Sequence, residues 1–184
     1  MSSGVSWSAR EAAASEAPVA QPAIDALFRA HAQELGRYLV AMVRDRSLAE
    51  DLLQDTFYDA LRAQEQLPQV ENERAWLYGI ARHRALRALR RRRRFQRAVV
   101  RLAGSREEGH EGDEALVTLL DLLDLLEREL GPEPRALVLL RYVHGFQAVE
   151  LAEMTGLSPE VVRQRLARAR ARLLAATPAE RKEA

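Results

Sequence analysis

Apolar residues recur with helical spacing along most of the chain. They predict one helix from Ile24 to about Arg44, a second to about Gln66, and a third from near Glu73 into the arginine block at 90–94. A glycine-rich acidic stretch then interrupts the pattern, and four further helices are predicted beyond it. We therefore expect an all-α fold, with two small helical domains joined by a flexible linker.

The interruptions give the domain boundaries. We expect an N-terminal tail at 1–22, a first domain at 23–97, the linker at 98–115, a second domain at 116–177 and a C-terminal tail at 178–184. Ser47 and Glu50 have the spacing of a capping box and predict the start of the second helix. Pro68 is expected to end that helix, leaving 69–73 as a polar loop, and Gly-Pro-Glu-Pro at 131–134 is expected to break the chain.

The end of the second domain has the pattern of a helix-turn-helix. A short helix at 147–154 is followed by a tight turn in which Gly156 can adopt a positive φ. Ser158 is a good N-cap for the next helix, and Pro159 suits its first position. In such a motif the second helix lies in the DNA major groove.

This last helix has an apolar stripe and an arginine-rich remainder. The residues expected to be buried are Val162, Leu166, Ala169 and Leu173. The opposite face carries Glu160, Gln164, Ala167, Arg168 and Ala171. An arginine-rich face can simply be solvated, and the preceding turn is what favours DNA binding.

The second helix of the first domain also has two faces. Leu53, Phe57, Ala60 and Leu61 are expected in the core. A polar stripe lies beside them at i, i+3, i+4 and i+7, formed by Asp51, Gln54, Asp55 and Tyr58. The stripe is either ordinary solvated surface or a docking surface for a basic partner, and the spacing alone leaves both interpretations open.

The third helix combines aromatic residues near its start with arginines at its end. Proteins that bind single-stranded or melting DNA use this combination, because unstacked bases lie on rings while arginines hold phosphates. We expect Trp76 to be a core residue rather than a base contact, and Tyr78 to be more open.

Composition narrows the function. The net charge of +1 conceals two arginine-rich stretches, at 82–101 and 163–172, separated by acidic ones. This asymmetry suits a polyanion-binding protein with a second partner that is not a nucleic acid. The absence of cysteine, of a long apolar run and of a secretory signal favours a cytoplasmic protein without membrane insertion.

The pattern does not favour an enzyme. The four histidines fall in separate helices or in the linker, without metal-ligand spacing: His31, His83, His110 and His144. The sequence also lacks a phosphate-binding loop and a nucleophile motif. We therefore predict no catalytic residue, no metal site and no cofactor.

The order of these motifs resembles the extracytoplasmic-function (ECF) sigma factors, two-domain initiation subunits of bacterial RNA polymerase. The resemblance covers about 24–175. Residues 49–57 are similar to the family's region 2.2, and 76–82 to its region 2.3 and 2.4 helix. The segments similar to region 4 are 150–152, 156–158 and 162–170.

The resemblance implies partners and site residues. In the family, region 2.2 docks on the coiled coil of the polymerase β′ subunit, which implies polymerase binding by Asp51, Gln54, Asp55 and Tyr58. The first domain would capture and melt the −10 promoter element with Asn72, Trp76, Tyr78, Arg82, His83, Arg90 and Arg91. The second would recognise the −35 element with Ser158, Glu160, Arg163, Gln164, Ala167 and Arg168.

The implied partners are core RNA polymerase, through its β′ coiled coil and β flap, promoter DNA and an anti-sigma factor. The acidic linker residues 107–113 would suit a positively lined polymerase channel. The alternative is a free-standing helix-turn-helix regulator that binds duplex operators without polymerase.

Overall fold

Helices account for almost all of the chain that the structure describes. It is a computed structural model, which describes residues 21–100 and 114–177 and the side chains of 23–95 and 121–177. The elements are α1 (Gln21–Val43), α2 (Arg46–Arg62), a 3-10 helix (Gln64–Gln69), α3 (Glu73–Val100), α4 (Glu114–Glu129), α5 (Pro132–Val138), a π-helical turn (Leu139–Val143), α6 (Ala148–Thr155) and α7 (Pro159–Ala176). The predicted all-α fold is confirmed.

Helices α1, α2 and α3 pack around one apolar core. Its fully buried side chains come from all three helices and include Leu35, Leu39, Met42, Ala60, Leu77, Ala81 and Ala85. Of the predicted α2 core residues, Phe57 and Ala60 are buried, while Leu53 and Leu61 are half-buried at the edge. The core therefore holds α2 with its polar stripe turned outward.

The start of α2 differs from the prediction. Asp45 is the N-cap, and its side chain accepts a hydrogen bond from the Leu48 N–H at 3.0 Å. Ser47 is exposed inside the first turn, so the predicted Ser47–Glu50 capping box is wrong. Asp and Ser cap helices about equally well, which is why the pattern alone did not separate them.

The loop before α3 is shorter than predicted. Pro68 lies within the 3-10 helix, whose Leu67 is buried, so the irregular segment narrows to 70–72. Asn72 then caps α3, because its Oδ1 accepts a hydrogen bond from the Ala75 N–H at 2.9 Å. The position of Asn72 is thus fixed by the helix that follows it.

The second domain is built from α4 to α7. Its buried core includes Leu126, Leu130, Leu137, Leu140, Leu151, Val162 and Leu166. The predicted break is present but shorter than expected, because only residues 130–131 separate α4 from α5. Gly131 is an N-cap and Pro132 is the first residue of α5, where a proline's missing N–H costs nothing.

The helix-turn-helix forms as predicted. Gly156 ends α6 with a φ of 67°, in the left-handed region that favours glycine. The Ser158 side chain caps α7 by accepting a hydrogen bond from the Val161 N–H at 3.3 Å. Of the predicted apolar stripe, Val162, Leu166 and Ala169 are buried and Leu173 is half-buried, which leaves the remaining faces of α7 to solvent.

The two domains pack directly against each other. Helix α3 contacts α5 and α6, and α1 contacts α5 and the π-helical turn. Most of the predicted linker, and both predicted tails apart from 21–22, lie outside the described residues. Within the described ranges, each helix is too short or too polar to cross a bilayer.

Candidate nucleic-acid and partner interfaces

The polar stripe of α2 is a continuous exposed surface. The structure places Asp51, Gln54, Asp55 and Tyr58 along one side of the helix, all exposed to solvent. Tyr58 is 59% exposed, and the guanidinium of Arg62 lies 5.8 Å from the centroid of its ring. The four residues that the sequence nominated together therefore share one accessible face.

Arg84 of α3 fixes part of that face. Its Nε donates to Asp59 Oδ2 at 2.6 Å, and its Nη1 donates to Asp55 Oδ2 at 3.0 Å. The hydrogen bond from Arg84 holds the pKa of Asp59 below its usual value. Arg84 thus links the polar stripe to α3, a connection that sequence spacing could not reveal because the partners are 25 and 29 residues apart.

The residues of α3 and its preceding loop that were predicted to bind the −10 element lie on two different sides of α3. Asn72, Trp76 and His83 line a cavity of about 770 Å³, together with residues of α2 and of the loop. Glu153 and Met154 of α6 close one wall of this cavity. It contains polar groups and an aromatic ring, as an unstacked base requires.

Tyr78 and Arg82 lie on the other side of α3, facing the second domain. Tyr78 is fully buried and Trp76 is half-buried, so the sequence-based expectation about which ring is more open was wrong. Burial raises the pKa of Tyr78 to about 12. The structure therefore does not bring the nominated −10 residues together on one accessible surface.

Acidic side chains of the second domain bind polar residues of the first. Asn72 Nδ2 donates a hydrogen bond to Glu150 Oε1 at 2.6 Å. Arg82 forms an ion pair with Glu133, and Arg90 Nη1 lies 3.7 Å from the other oxygen of the same carboxylate. Arg90 and Arg91 are otherwise exposed.

An aromatic cluster joins the two domains beside these ion pairs. The Tyr78 ring contacts Phe146 at 5.0 Å and His144 at 5.2 Å between centroids, and Tyr38 contacts His144 edge-on at 5.5 Å. Arg74 lies over the Phe146 ring at 4.2 Å and donates to the His144 carbonyl oxygen at 2.8 Å. Phe146 is almost completely buried as a result.

The outer face of α7 is accessible. Glu160, Arg163, Gln164, Ala167 and Arg168 are all exposed, and Ser158 stands at the N-cap. Arg163 Nη2 donates to Glu160 Oε1 at 2.6 Å, one helical turn away. A guanidinium held in this way is aligned before it meets a base edge.

Several contact residues were not nominated from the sequence. They are Arg74, Arg84, Glu133, Arg135, Phe146 and Glu150. His144 was considered only as a possible site histidine. The hydrogen bonds between domains join residues 51 to 93 positions apart, so no local pattern could have identified them.

Comparison with known proteins assigns both halves of the chain. The family profile described as Sigma-70 region 2 matches residues 27–95, and that of Sigma-70 region 4 matches 119–173. RNA polymerase sigma factor CarQ of Myxococcus xanthus is 34% identical, over 79% of this chain and 84% of that protein. The ECF RNA polymerase sigma factor SigL of Mycobacterium tuberculosis is 32% identical, over 84% of this chain and 86% of its own length. The chain belongs to the ECF family of RNA polymerase sigma factors.

Solved structures share the fold of this ECF sigma factor. The sigma factor RpoE, in complex with the anti-sigma factor NepR from Bartonella quintana, superposes with a TM-score of 0.71 at 23% identity, over 86% of this chain and 99% of that one. CnrH, in complex with the cytosolic domain of CnrY, superposes with a TM-score of 0.62 at 25% identity, over 85% and 88%. Both likenesses extend across the two domains.

Family membership establishes the general function. This ECF sigma factor binds core RNA polymerase and directs it to promoter DNA through regions 2 and 4. Within the part of the chain that the structure describes, no cluster of His, Asp or Glu side chains is placed to hold a metal ion.

Proposed function

We propose that this ECF sigma factor docks on the polymerase β′ coiled coil through the exposed stripe of α2. The carrying observation is that Asp51, Gln54, Asp55 and Tyr58 form one accessible face whose carboxylate at Asp55 is oriented by Arg84. An oriented carboxylate loses less side-chain entropy on pairing with a basic partner than a freely rotating one. Region 4 would contact the β flap in the same complex.

The two promoter elements fall to different domains. The cavity beside Trp76 and His83 supports capture of an unstacked −10 base, with Asn72, Tyr78, Arg82, Arg90 and Arg91 as further contacts. The outer face of α7 supports recognition of the −35 element. There, Arg163 would bind a guanine edge, Gln164 an adenine edge and Arg168 a phosphate, with Ser158, Glu160 and Ala167 completing the surface.

The same proposal assigns a role to each part of the chain and names a regulatory partner. Residues 23–97 would act as region 2, 116–177 as region 4 and 98–115 as the linker that runs through the polymerase. The protein would act in the cytoplasm by binding alone, without catalysis. An anti-sigma factor would regulate it, a proposal supported by the RpoE neighbour, which was solved with NepR.

Transcription with bacterial core polymerase on the gene's own upstream DNA tests this function. We expect a specific transcript above the core enzyme alone, and tight binding of core polymerase by the free chain. Charge reversal at Asp51 and Asp55 should weaken core binding at least about tenfold, because two attractive contacts become repulsive. Charge reversal at Asp25 in α1 and Asp121 in α4, which are exposed and belong to other helices than the stripe, is the matched control.

The alternative regulator makes the opposite prediction. Tight sequence-specific binding of duplex DNA by the protein alone, with no transcript from core polymerase on several promoters, would overturn the proposal. Equal core binding by the Asp51/Asp55 and the control variants would overturn the docking face while leaving the sigma function intact.

A further inference from the structure

A small cavity lies where α1, α3, α4 and α5 meet, and arginines form most of its polar lining. Its volume is about 150 Å³, and its charged lining residues are Arg44, Arg92, Arg93, Arg135 and Glu127. The geometry points to a binding site for one small phosphate-type anion in this cavity: inorganic phosphate, pyrophosphate or the terminal phosphates of a nucleotide. The cavity shares no residue with the surfaces proposed for polymerase and promoter binding.

The volume of the cavity limits the size of the ligand. A cavity of this volume admits a guest of about the size of benzene. Sites for whole drug-sized molecules are larger, with volumes of about 300–1,000 Å³. One or two phosphate groups therefore fit, whereas a complete nucleotide does not, so a nucleotide would enter with its phosphate end alone.

Arg135 is the most deeply buried of the lining arginines, with a side chain that is only 3% exposed. Its Nη2 donates to the Met42 carbonyl oxygen at 2.7 Å, and its Nη1 lies 3.4 Å from Glu127 Oε1. Among the described residues, its Nε–H has no hydrogen-bond partner. A buried donor without a partner is rare in folded proteins and is one of the signs of an ion or water site.

Positive charge exceeds negative charge around the cavity. In the lining that the structure describes, Glu127 is the one acidic residue beside four arginines. Burial lowers the pKa of Arg135, Glu127 raises it, and the positive charges of Arg93 and Arg44 lower it again. The guanidinium groups therefore repel one another, and an anion between them would remove this repulsion.

The acidic neighbours hold the arginines only loosely. The Glu127 carboxylate is 51% exposed and lies 3.4 Å from Arg135 and 3.9 Å from Arg44. Asp45 lies 3.9 Å from Arg92. Charge-assisted hydrogen bonds to arginine are about 2.7–2.9 Å long, so phosphate oxygens within the cavity would make closer contacts than these carboxylates do.

The backbone of Arg44 is an independent sign of a role for its side chain. Arg44 directly follows α1 with a φ of 56°, in the left-handed region where a helix end usually has glycine. Its ion pair with Asp124 lies at the surface, because the Asp124 side chain is 61% exposed, and surface pairs contribute little. An anion in the cavity would give this strained arginine a stronger contact.

A bound anion would join elements of both domains. The lining arginines belong to the end of α1, to α3 and to α5. The several oxygens of one phosphate group can accept hydrogen bonds from all three elements at once. A ligand that binds only the folded chain stabilises it increasingly as the ligand concentration rises. The concentration of a small phosphate anion would thus adjust the stability of this protein.

The test measures binding of pyrophosphate and of inorganic phosphate to the full chain, by isothermal titration calorimetry at constant ionic strength. We expect one saturable site per chain for both anions. Adenosine triphosphate, titrated in the same way, distinguishes the sources of the phosphate group. An affinity equal to that of pyrophosphate would support entry of a nucleotide's phosphate end, and a much weaker one would support free anions as the ligands.

Arg92→Gln with Arg93→Gln is the main variant, because both residues line the cavity from exposed positions of α3. We expect pyrophosphate binding to weaken at least about tenfold, since two charge-assisted contacts are lost. The control is Arg87→Gln with Arg94→Gln, which removes the same charge from exposed positions of the same helix that do not line the cavity. Its affinity for pyrophosphate should stay close to that of the wild type.

Glu127→Gln should act in the opposite direction. Removing its negative charge from the lining should strengthen pyrophosphate binding by up to about fivefold, because a like charge no longer opposes the ligand. Asp121→Asn removes one charge from an exposed position of the same helix that does not line the cavity, and it should leave the affinity unchanged.

These outcomes decide the inference independently of transcription. Saturable binding that the Arg92/Arg93 variant loses and the Glu127 variant strengthens would support the site. Absence of binding, binding of many anions per chain without saturation, or equal weakening in the Arg92/Arg93 and Arg87/Arg94 variants would overturn it. Circular dichroism checks the folding of each variant. The single change Arg93→Gln, with a smaller loss expected, replaces the double variant if that does not fold.

Discussion

The guanidinium of Arg135 donates a hydrogen bond to the Met42 carbonyl oxygen, across the boundary between the two domains. Met42 lies one residue before the end of α1, where helical carbonyl oxygens lack partners within the helix and the dipole favours a cation. Burial lowers the pKa of Arg135, and Glu127, 3.4 Å away, counteracts this by favouring the charged form. The buried Arg135 of the second domain thus satisfies a carbonyl oxygen at the C-terminus of α1 in the first domain.

Arg135→Met should destabilise the protein. Methionine fills much of the buried volume but leaves the Met42 carbonyl oxygen without its donor, so we expect a loss of about 2 kcal/mol in the free energy of unfolding. Urea denaturation followed by circular dichroism would measure it. Arg128→Met, at an exposed position of α4, is the control and should change the free energy by less than about 0.5 kcal/mol. Equal effects would mean that the Met42 contact contributes nothing specific.

Acid should open the two domains through His144. Burial, with the neighbouring Arg74 guanidinium, lowers the pKa of His144 from 6.5, while Glu34 of α1 acts in the opposite direction. The packing of the two domains against each other therefore favours the neutral imidazole of His144. Its stability is complete above pH 6.5 and declines as the pH falls through 6.5 towards the lowered value, because the separated domains then bind an extra proton.

Fluorescence energy transfer between dyes attached through Ala30→Cys in α1 and Ala175→Cys in α7, compared at pH 5.5 and 7.5, would measure this dependence. The neighbouring Tyr38 and Tyr78 hydroxyls stay protonated throughout this range, since burial raises both of their pKa values. His144→Gln should abolish the dependence, and His83→Gln, at an exposed position of α3, should preserve it. An identical pH profile for wild type and His144→Gln would contradict the assignment.

Two arginines of α7 should behave differently on DNA. Arg163 is aligned by Glu160 near the start of the helix, so Arg163→Ala should cost about 1–3 kcal/mol at one −35 position and relax the preference there. Arg168→Ala should instead weaken all sequences alike and reduce the salt dependence by about one phosphate contact. Binding to a panel of −35 variants at two salt concentrations distinguishes the two effects. Parallel losses across the panel for both variants would refute the separate roles.

The turn of the helix-turn-helix should depend on Gly156. Its φ of 67° is costly for a residue with a side chain, although a Cβ there would meet nothing within 4 Å. Gly156→Ala should therefore lower the free energy of unfolding by about 1 kcal/mol through backbone strain alone. Gly36→Ala, inside α1 with its nearest contact at 3.7 Å, should be neutral or stabilising. The same sign for both changes in thermal denaturation would be inconsistent with this explanation.

The features that the sequence predicted correctly depend on interactions between residues close together in the chain. The stripe of Val162, Leu166 and Ala169, the cap at Ser158 and the turn at Gly156 each depend on residues within a few positions, and all three are present in the structure. The exposed stripe of α2 was predicted for the same reason. Its role in polymerase binding remains a prediction.

The errors have two kinds of cause. Asp45 and Ser47 are both good caps, and Asp45, which follows Arg44 at a positive φ of 56°, has the extended backbone of an N-cap, whereas Ser47 is already helical. Tyr78 was expected to be more open than Trp76 because α3 was considered as an isolated helix. Its burial is produced by Phe146 and His144, which approach from another domain and which no periodicity within α3 could indicate.

The π-helical turn at Leu139–Val143 has a consequence for the geometry of DNA reading. The His144 N–H bonds to the Leu139 carbonyl oxygen five residues back, so the turn contains one residue more than an α-helix would. Removing one residue from it would restore α-helical bonding with little change in the phase of the chain beyond, because the wide turn already accommodates the extra residue. We therefore expect a one-residue deletion within the turn to leave the direction of α7 relative to region 2 nearly unchanged. The −10 to −35 spacing that the protein accepts, measurable on promoters with spacers of different length, should then stay the same.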